Sequence, residues 1–299
     1  MPASDVALPL RIGSRTLFTL RCPLARRTLS LDEALGGELP ALPGPTNGED
    51  GCLVNALPAA LAGRLIAQHP ALKPFVRQRY RRSYARLDQG FDSYFAGFSA
   101  KSRSTCRRKL RKFADLSGGT LDLRCYRTEE EISVFHELAL RLSAKTYQER
   151  LLGAGLPAGP EALAGMCALA RAGRGRGWLL FVDDKPVAYL WAPAEGLTLI
   201  YAYLGYDPDF AEHSPGTVLQ LEAMRQLMAE GRFRLFDFTE GDGQHKRLFS
   251  TGGVDCVDLL LMRRAARPLA TGFALVAFDG AVALAKRIAG SKLALRLRR

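Results

Sequence analysis

LTLIYAYLGYDPDFAEHSPGTVLQLEAMRQLMAEGRFRLFDFTEGDGQHKRLF, residues 197–249, changes its apolar period twice. Residues 197–205 are a nearly unbroken apolar and aromatic run, as a buried strand requires. Val218, Leu221, Met224 and Met228 then recur at helical spacing, and Gly231 supplies a C-terminal stop. RLFDF (234–238) returns to a strand. A strand, helix, strand sequence needs a crossover, so 197–205 and 234–238 are expected as parallel neighbours joined by helix 215–230. Upstream, WLLFV (178–182) and VAYLWAP (187–193) flank the turn DDKP as a hairpin, and downstream VDCVDLLLM (254–262) reads as a last strand. LDLRCYR (121–127) alternates as a half-buried strand does. Thr128 with Glu131 is a capping box for a helix whose Ile132, Phe135, Ala139 and Leu142 share a face. Further helices are expected at 91–98, at 101–114 with Gly118 and Gly119 as its stop, and from Pro160 to Gly173. From residue 121 the order is β-α-α-β-β-β-α-β-α-β, which predicts an α/β fold with a mixed sheet and helices on both faces.

With 299 residues, 47% hydrophobic and 24% charged, the chain can bury a core without staples. Its six cysteines include no C-x-x-C pair and its four histidines never fall at ligand spacing, so no metal centre or disulfide framework is expected. The opening MPASDVALPLRIGSR lacks a basic start followed by an apolar stretch, so a cytoplasmic setting is expected. The net charge of +12 is unevenly spread. Residues 64–112 hold 14 basic and 2 acidic side chains and residues 263–299 hold 9 and 1, whereas 113–262 hold 14 and 21. An acidic segment bearing the chemistry suits a cationic or neutral substrate better than a nucleic acid. Residues 36–51, rich in Gly and Pro, form a loop. Three regions are expected: an N-terminal accessory region with its basic arm (1–112), a core (113–264) and a basic tail (265–299).

Two stretches carry chemistry. At Ser214, Pro215, Gly216 and Thr217 a helix begins with Pro in its first turn and Gly where backbone can approach a ligand. The free amides there suit an anion such as a pyrophosphate, while the plainer alternative is an ordinary start with Ser214 as N-cap. In DFTEGDGQHKRLF (237–249), Asp237, Glu240, Asp242 and Lys246 bring three carboxylates and an ammonium into a short span, which can shift pKa values and create a proton acceptor. The alternative is a solvated turn.

The strand, the SPG helix start, DF-x-x-G-D and the following K-R-x-F resemble the GNAT acyltransferase superfamily. The likeness is to its CelD-like branch, associated with cellulose and exopolysaccharide biosynthesis and itself similar to Fem-type aminoacyltransferases. It runs from about Phe91 through Met262 and includes KSRSTCRRKLRKF. The resemblance implies a GNAT-like fold and an acyltransferase, most simply an N-acetyltransferase. Its donor would be acetyl-CoA or another acyl-CoA lying along 197–205, with the pyrophosphate at helix 215–230. EHSPGT stands where the usual phosphate loop would be, and Fem-type relatives take their acyl group from aminoacyl-tRNA instead. Asp237 or Glu240 is then the candidate base and Lys246 a catalytic partner, with Tyr206 the proton donor to the leaving thiolate. Tyr203, Leu204 and Gly205 would line the donor beside Ser214 to Thr217, and Asp242 and His245 would meet the acceptor. A plain aromatic at a strand end is the alternative for Tyr206, and a surface position for His213 and His245. A saccharide or small-molecule acceptor is expected; tRNA enters only in a tRNA-dependent reaction, and an inactive interaction module is the non-enzymatic alternative. The tail, 268–299, either packs on the domain or lies peripherally on an anionic membrane or biosynthetic complex through Lys286, Arg287, Lys292, Arg296, Arg298 and Arg299.

Overall fold

The computed structural model describes residues 5–12, 15–42, 48–146, 155–241 and 243–296. They form two compact units, Met1–Arg81 with Val254–Arg299, and Arg82–Gly253. The basic helix grouped above with the N-terminal region belongs to the second unit.

In the first unit β1 (Asp5–Ile12) and β2 (Arg15–Thr28) pair antiparallel, and β2 runs parallel to β3 (Gly51–Pro58). The short helix α1 (Leu31–Gly36) and helix α2 (Ala59–Gln68) flank β3 in sequence. Strand β4 (Leu72–Arg86) carries the chain out of this unit at residue 81, and β11 (Gly252–Arg263) returns it to pair antiparallel with β3. The expected tail is a helix, Ala266–Arg296, with Leu275 fully buried in this unit and Phe273 and Leu284 exposed. Among the described residues no helix is long and apolar enough to cross a membrane.

The second unit opens with α3 (Phe91–Ala96) and α4 (Ala100–Leu116), then β5 (Asp122–Tyr126), α5 (Glu129–Ser143) and α6 (Pro160–Arg171). The Thr128–Glu131 capping box forms as expected and satisfies two otherwise orphaned amides. β6 (Gly175–Val182) and β7 (Lys185–Glu195) make the hairpin, with Asp183 and Asp184 both at positive φ as a tight two-residue turn demands. All eight residues of β6 are buried because both faces are covered. Trp178, Leu180 and Val182 enter the core that also holds Phe113 of α4 and Leu221 and Met224 of helix α7 (Pro215–Glu230). Leu179 and Phe181 enter the opposite core with Ile132, Phe135 and Met166. A strand of period two therefore has helices on both sides, as predicted.

The expected strand 197–205 is two strands. β8 (Thr198–Ile200) pairs with the end of β7 and runs parallel to β10 (Leu235–Asp237), whereas β9 (Tyr203–Tyr206) pairs, among the described residues, with β7 alone. The parallel pairing joined by α7 is thus confirmed over Thr198–Ile200, and the interruption at Tyr201 and Ala202 ends it. Beyond that point the Phe238 amide bonds the Ser83 carbonyl at 2.9 Å, so the chain after β10 follows β4 while β9 stays with β7. The sheet opens between them. Helix α8 (Gln244–Phe249) follows the open edge.

Candidate functional site in the splayed cleft

The opening between β9 and the chain after β10 forms a cavity of about 400 Å³. Tyr201 sits where the strands part, and Leu204 and Tyr206 line one wall. Ser214, Gly216 and Thr217 from the start of α7 close one end, and Gly243, His245 and Lys246 close the other. The Asp207 amide bonds the Val187 carbonyl at 2.9 Å, and alternation from it turns the amides of Gly205 and Tyr203 toward β7. The amides of Leu204 and Tyr206 then point away from β7, where no strand among the described residues pairs with them. Backbone donors are thereby offered to a ligand. Gly216 lets α7 pack closely on β9: a Cβ there would lie 3.2 Å from the Leu204 Cδ2 and 3.5 Å from the Tyr206 Cδ1.

Ser214 does not cap α7. Its φ of 55° places it in the left-handed region, and its side chain makes no cap bond. The neighbouring Thr217 hydroxyl instead receives a hydrogen bond from the Lys109 ammonium of α4 at 3.2 Å.

Asp237 is fully buried at the end of β10. Its Oδ2 accepts the Nε of Arg82 at 3.0 Å and the second guanidinium nitrogen at 2.6 Å, and its Oδ1 accepts the Thr239 amide at 2.8 Å. Thr239 has φ 61°, a conformation that a β-branched residue rarely adopts, and the carboxylate holds it there. The turn so fixed presents the Thr239 hydroxyl, 3.4 Å from the Lys246 Nζ, and the Glu240 carbonyl, which also accepts from Lys246. An ammonium has three donors, so one remains for a ligand. Burial lowers the Lys246 pKa, while Glu240 and Asp237 draw it back up.

His245 lines the cleft with its Nε2 buried and unpartnered among the described residues, and its ring lies 4.9 Å from that of Phe249. Burial, with Lys246 and Lys109 nearby, pushes its pKa down to about 4, so the imidazole is neutral at neutral pH. Because the unfolded chain takes up this proton near 6.5 and the folded chain only near 4, stability falls as pH drops through that window. The expected loss is about 2 kcal/mol after allowance for partial exposure. Urea titrations from pH 7 to 4 should show a shallower loss in His245→Gln; identical slopes would count against the burial.

The structure gathers Tyr206, Leu204, Ser214, Gly216, Thr217, His245 and Lys246 around one cavity. It does not bring the others there. Asp237 is turned into the Arg82 pair, and Glu240 is exposed and contributes its carbonyl. Tyr203 packs toward the α5 side of the sheet, and Gly205 lies against Tyr189 and Thr146. Pro215 is buried in α7. Asp242 lies outside the described residues. His213, expected at the surface, has a buried Nδ1, and its Nε2 is 3.1 Å from Glu212. No carboxylate among the described residues lines the cleft, so the acidic balance of 113–262 does not reach it. Arg82 was missed, because nothing in its own stretch marks it as the partner of a residue 155 positions away. Lys109 was legible as part of a basic helix, but its contact with Thr217 was not. Among the described residues no three His, Cys, Asp or Glu side chains are placed to hold a metal ion.

Residues 100–247 match the acetyltransferase (GNAT) domain family. This segment, just under half of the chain, is similar to GNAT-type acyltransferase domains. The C-terminal domain named as a lysylphosphatidylglycerol synthetase from Agrobacterium fabrum is similar in fold, at 13% identity and a TM-score of 0.51 over 77% of this chain and 72% of that one. FemX is similar at 12% identity and a TM-score of 0.53, over 74% of each chain. No curated protein matches the sequence. The GNAT domain therefore has the fold expected from its strand and helix order, a mixed sheet that it shares with Fem-type neighbours.

Proposed function

We propose that the GNAT domain transfers an acyl group, most simply acetyl, from a coenzyme A thioester to an amine or hydroxyl acceptor in the splayed cleft. The observation that carries this reading is the opening itself. It places the unpaired amides of Leu204 and Tyr206, the glycine-lined start of α7 and the Lys246 ammonium around one cavity. Gly216 supports the fit to a thioester through its backbone, because its missing Cβ lets the start of α7 lie close against Leu204 and Tyr206.

Acyl transfer needs orientation, a proton acceptor and stabilisation of the developing oxyanion. Lys246 offers its remaining N–H to that oxygen. The neutral His245 Nε2 accepts the proton released as the acceptor's nitrogen or oxygen bonds to the carbonyl carbon. Tyr206, 38% exposed on the cleft wall, gives its hydroxyl proton to the departing sulfur and regains one from water. Asp237 acts through the backbone turn rather than as the base.

The test is thiol release from a panel of acyl-CoAs, with calorimetry on Gly216→Val. A Val side chain should push Leu204 and Tyr206 into the cleft and weaken acetyl-CoA binding at least tenfold, with urea unfolding confirming that the variant is folded at the temperature of the titration. Equal affinities, or no binding by either protein, would remove coenzyme A from the account. A second reading, transfer from aminoacyl-tRNA, is favoured by the basic face of α4, and one fold neighbour is named for making lysylphosphatidylglycerol. Release of the amino acid from charged tRNA, without thiol release from any acyl-CoA, would select it. The CelD-like likeness suggests an exopolysaccharide or cell-envelope acceptor for either donor.

A further inference from the structure

The tail helix, α9 (Ala266–Arg296), is docked on the first unit by one side. Leu275 is fully buried, and Leu269 and Val276 pack beside it in the core that holds Val6, Leu8 and Leu24 of β1 and β2. Gly272 lets the helix approach β4 closely, since a Cβ there would lie 2.5 Å from the Phe75 ring. Asp279 pairs with Arg77 of β4 at 2.6 Å, which fixes the rotation of the helix about its axis.

The opposite side carries no charge. Among the described residues, every exposed position from Ala270 to Ala285 is Ala, Gly, Leu or Phe. Phe273, Ala277, Gly280 and Leu284 follow one another at helical spacing, with Ala274 and Ala281 beside them, as one stripe about 22 Å long. Phe273 and Leu284 are each more than half exposed. A surface helix normally turns charged groups to water, so one that is apolar on both sides presents a second apolar surface. Phe18 extends it. Phe18 pairs across the hairpin with Leu10, which packs in the same core as Leu269, so it faces the side of the sheet that α9 covers, and it too is more than half exposed.

The charges that the stripe lacks lie beyond its two ends. Arg264 and Arg267 stand at the start of α9, and the sequence after Ala285 carries six basic residues and no acidic one. A second copy laid on the stripe would set basic end against basic end in either direction. An anionic bilayer surface complements both ends and takes the apolar stripe into its interface. With its other side on the sheet, and too short in apolar residues to span, α9 suits a helix lying along such a surface.

We propose that α9 attaches this chain peripherally to an anionic bilayer, with the Phe273–Leu284 stripe in the interface and the basic ends on lipid phosphates. Attachment requires neither an acyl donor nor turnover.

The experiment is co-sedimentation of the full chain with vesicles of equal parts phosphatidylglycerol and phosphatidylcholine, against vesicles of phosphatidylcholine alone. At low salt the chain should pellet with the anionic vesicles, and high salt or neutral lipid should leave it in the supernatant. Ala277→Gln/Leu284→Gln, at exposed positions and with no change of charge, should weaken partitioning by roughly tenfold while the urea midpoint holds. Leu284→Gln alone should weaken it severalfold. Arg108→Gln/Arg111→Gln, exposed on α4 of the second unit, removes two charges elsewhere and should leave partitioning unchanged. In Phe273→Trp the new indole should be quenched by brominated lipid, whereas the buried Trp178 and Trp191 of the wild type should not. Failure of the wild type to pellet, undiminished pelleting of Ala277→Gln/Leu284→Gln, or an equal loss in the Arg108/Arg111 control would overturn the proposal. A dimer that the same double variant dissociates, with no vesicle binding, would overturn it in favour of a second copy on the stripe.

Discussion

Asp237→Ala is expected to destabilise the second unit by about 3–5 kcal/mol, the usual scale for leaving one member of a buried ion pair unpaired. The Asp237 side chain is 1% exposed and that of Arg82 10%, so water cannot take the carboxylate's place. The same carboxylate also holds the Thr239 amide, and with it the backbone turn that carries Lys246. Urea unfolding checks the magnitude. A fall below about 1 kcal/mol would show that the pair is solvated in solution. The double replacement Arg82→Met/Asp237→Leu should recover much of the loss, since apolar groups of similar volume often replace a buried pair at little cost. It should not recover turnover, because Thr239 would lose the acceptor that keeps it left-handed.

Lys246→Ala should lower turnover by roughly a hundredfold, the scale for a lost transition-state donor or positioned proton-transfer group. Donor affinity should change by less than about twofold, because an interaction made only in the transition state leaves the ground state alone. The readout is kcat and KM for the acyl donor measured separately. Stability should move little, since the two groups that lose the ammonium, a hydroxyl and a carbonyl, are in a loop that water reaches. Full turnover in Lys246→Ala would return this loop to a structural role, and a rise in KM with kcat unchanged would move Lys246 to substrate binding. Lys246→Arg should not rescue, because the broader guanidinium must displace either the Thr239 or the Glu240 contact.

Much of the fold was legible because it follows from local chemistry. The alternation in LDLRCYR, the Thr128–Glu131 box and the Asp183–Asp184 turn each act over a few residues, and each appears where the sequence places it. The parallel pairing of Leu235 with Thr198 was also legible, since a helix between two strands leaves few other connections. The interruption at Tyr201 and Ala202 was not. LTLIYAYLG is equally apolar throughout, and nothing within it says that β7 keeps both halves while β10 follows only the first.

For the site, residue type found Lys246, Tyr206, Gly216 and His245, but role depended on contacts. Asp237 and Glu240 are both carboxylates in one short stretch. One is fully buried against Arg82 and the other exposed, a difference set by a strand more than 150 positions earlier. The sequence by itself determined the order of strands and helices, the crossover and the glycine-bearing start of α7, because periodicity, capping and turn chemistry are short-range. Only the tertiary structure decided which charges face one another: the Arg82–Asp237 pair, the Lys109–Thr217 contact and a cleft that no carboxylate among the described residues lines. Electrostatic roles depend on distance and burial in space, and neither is encoded in the spacing of residues along the chain.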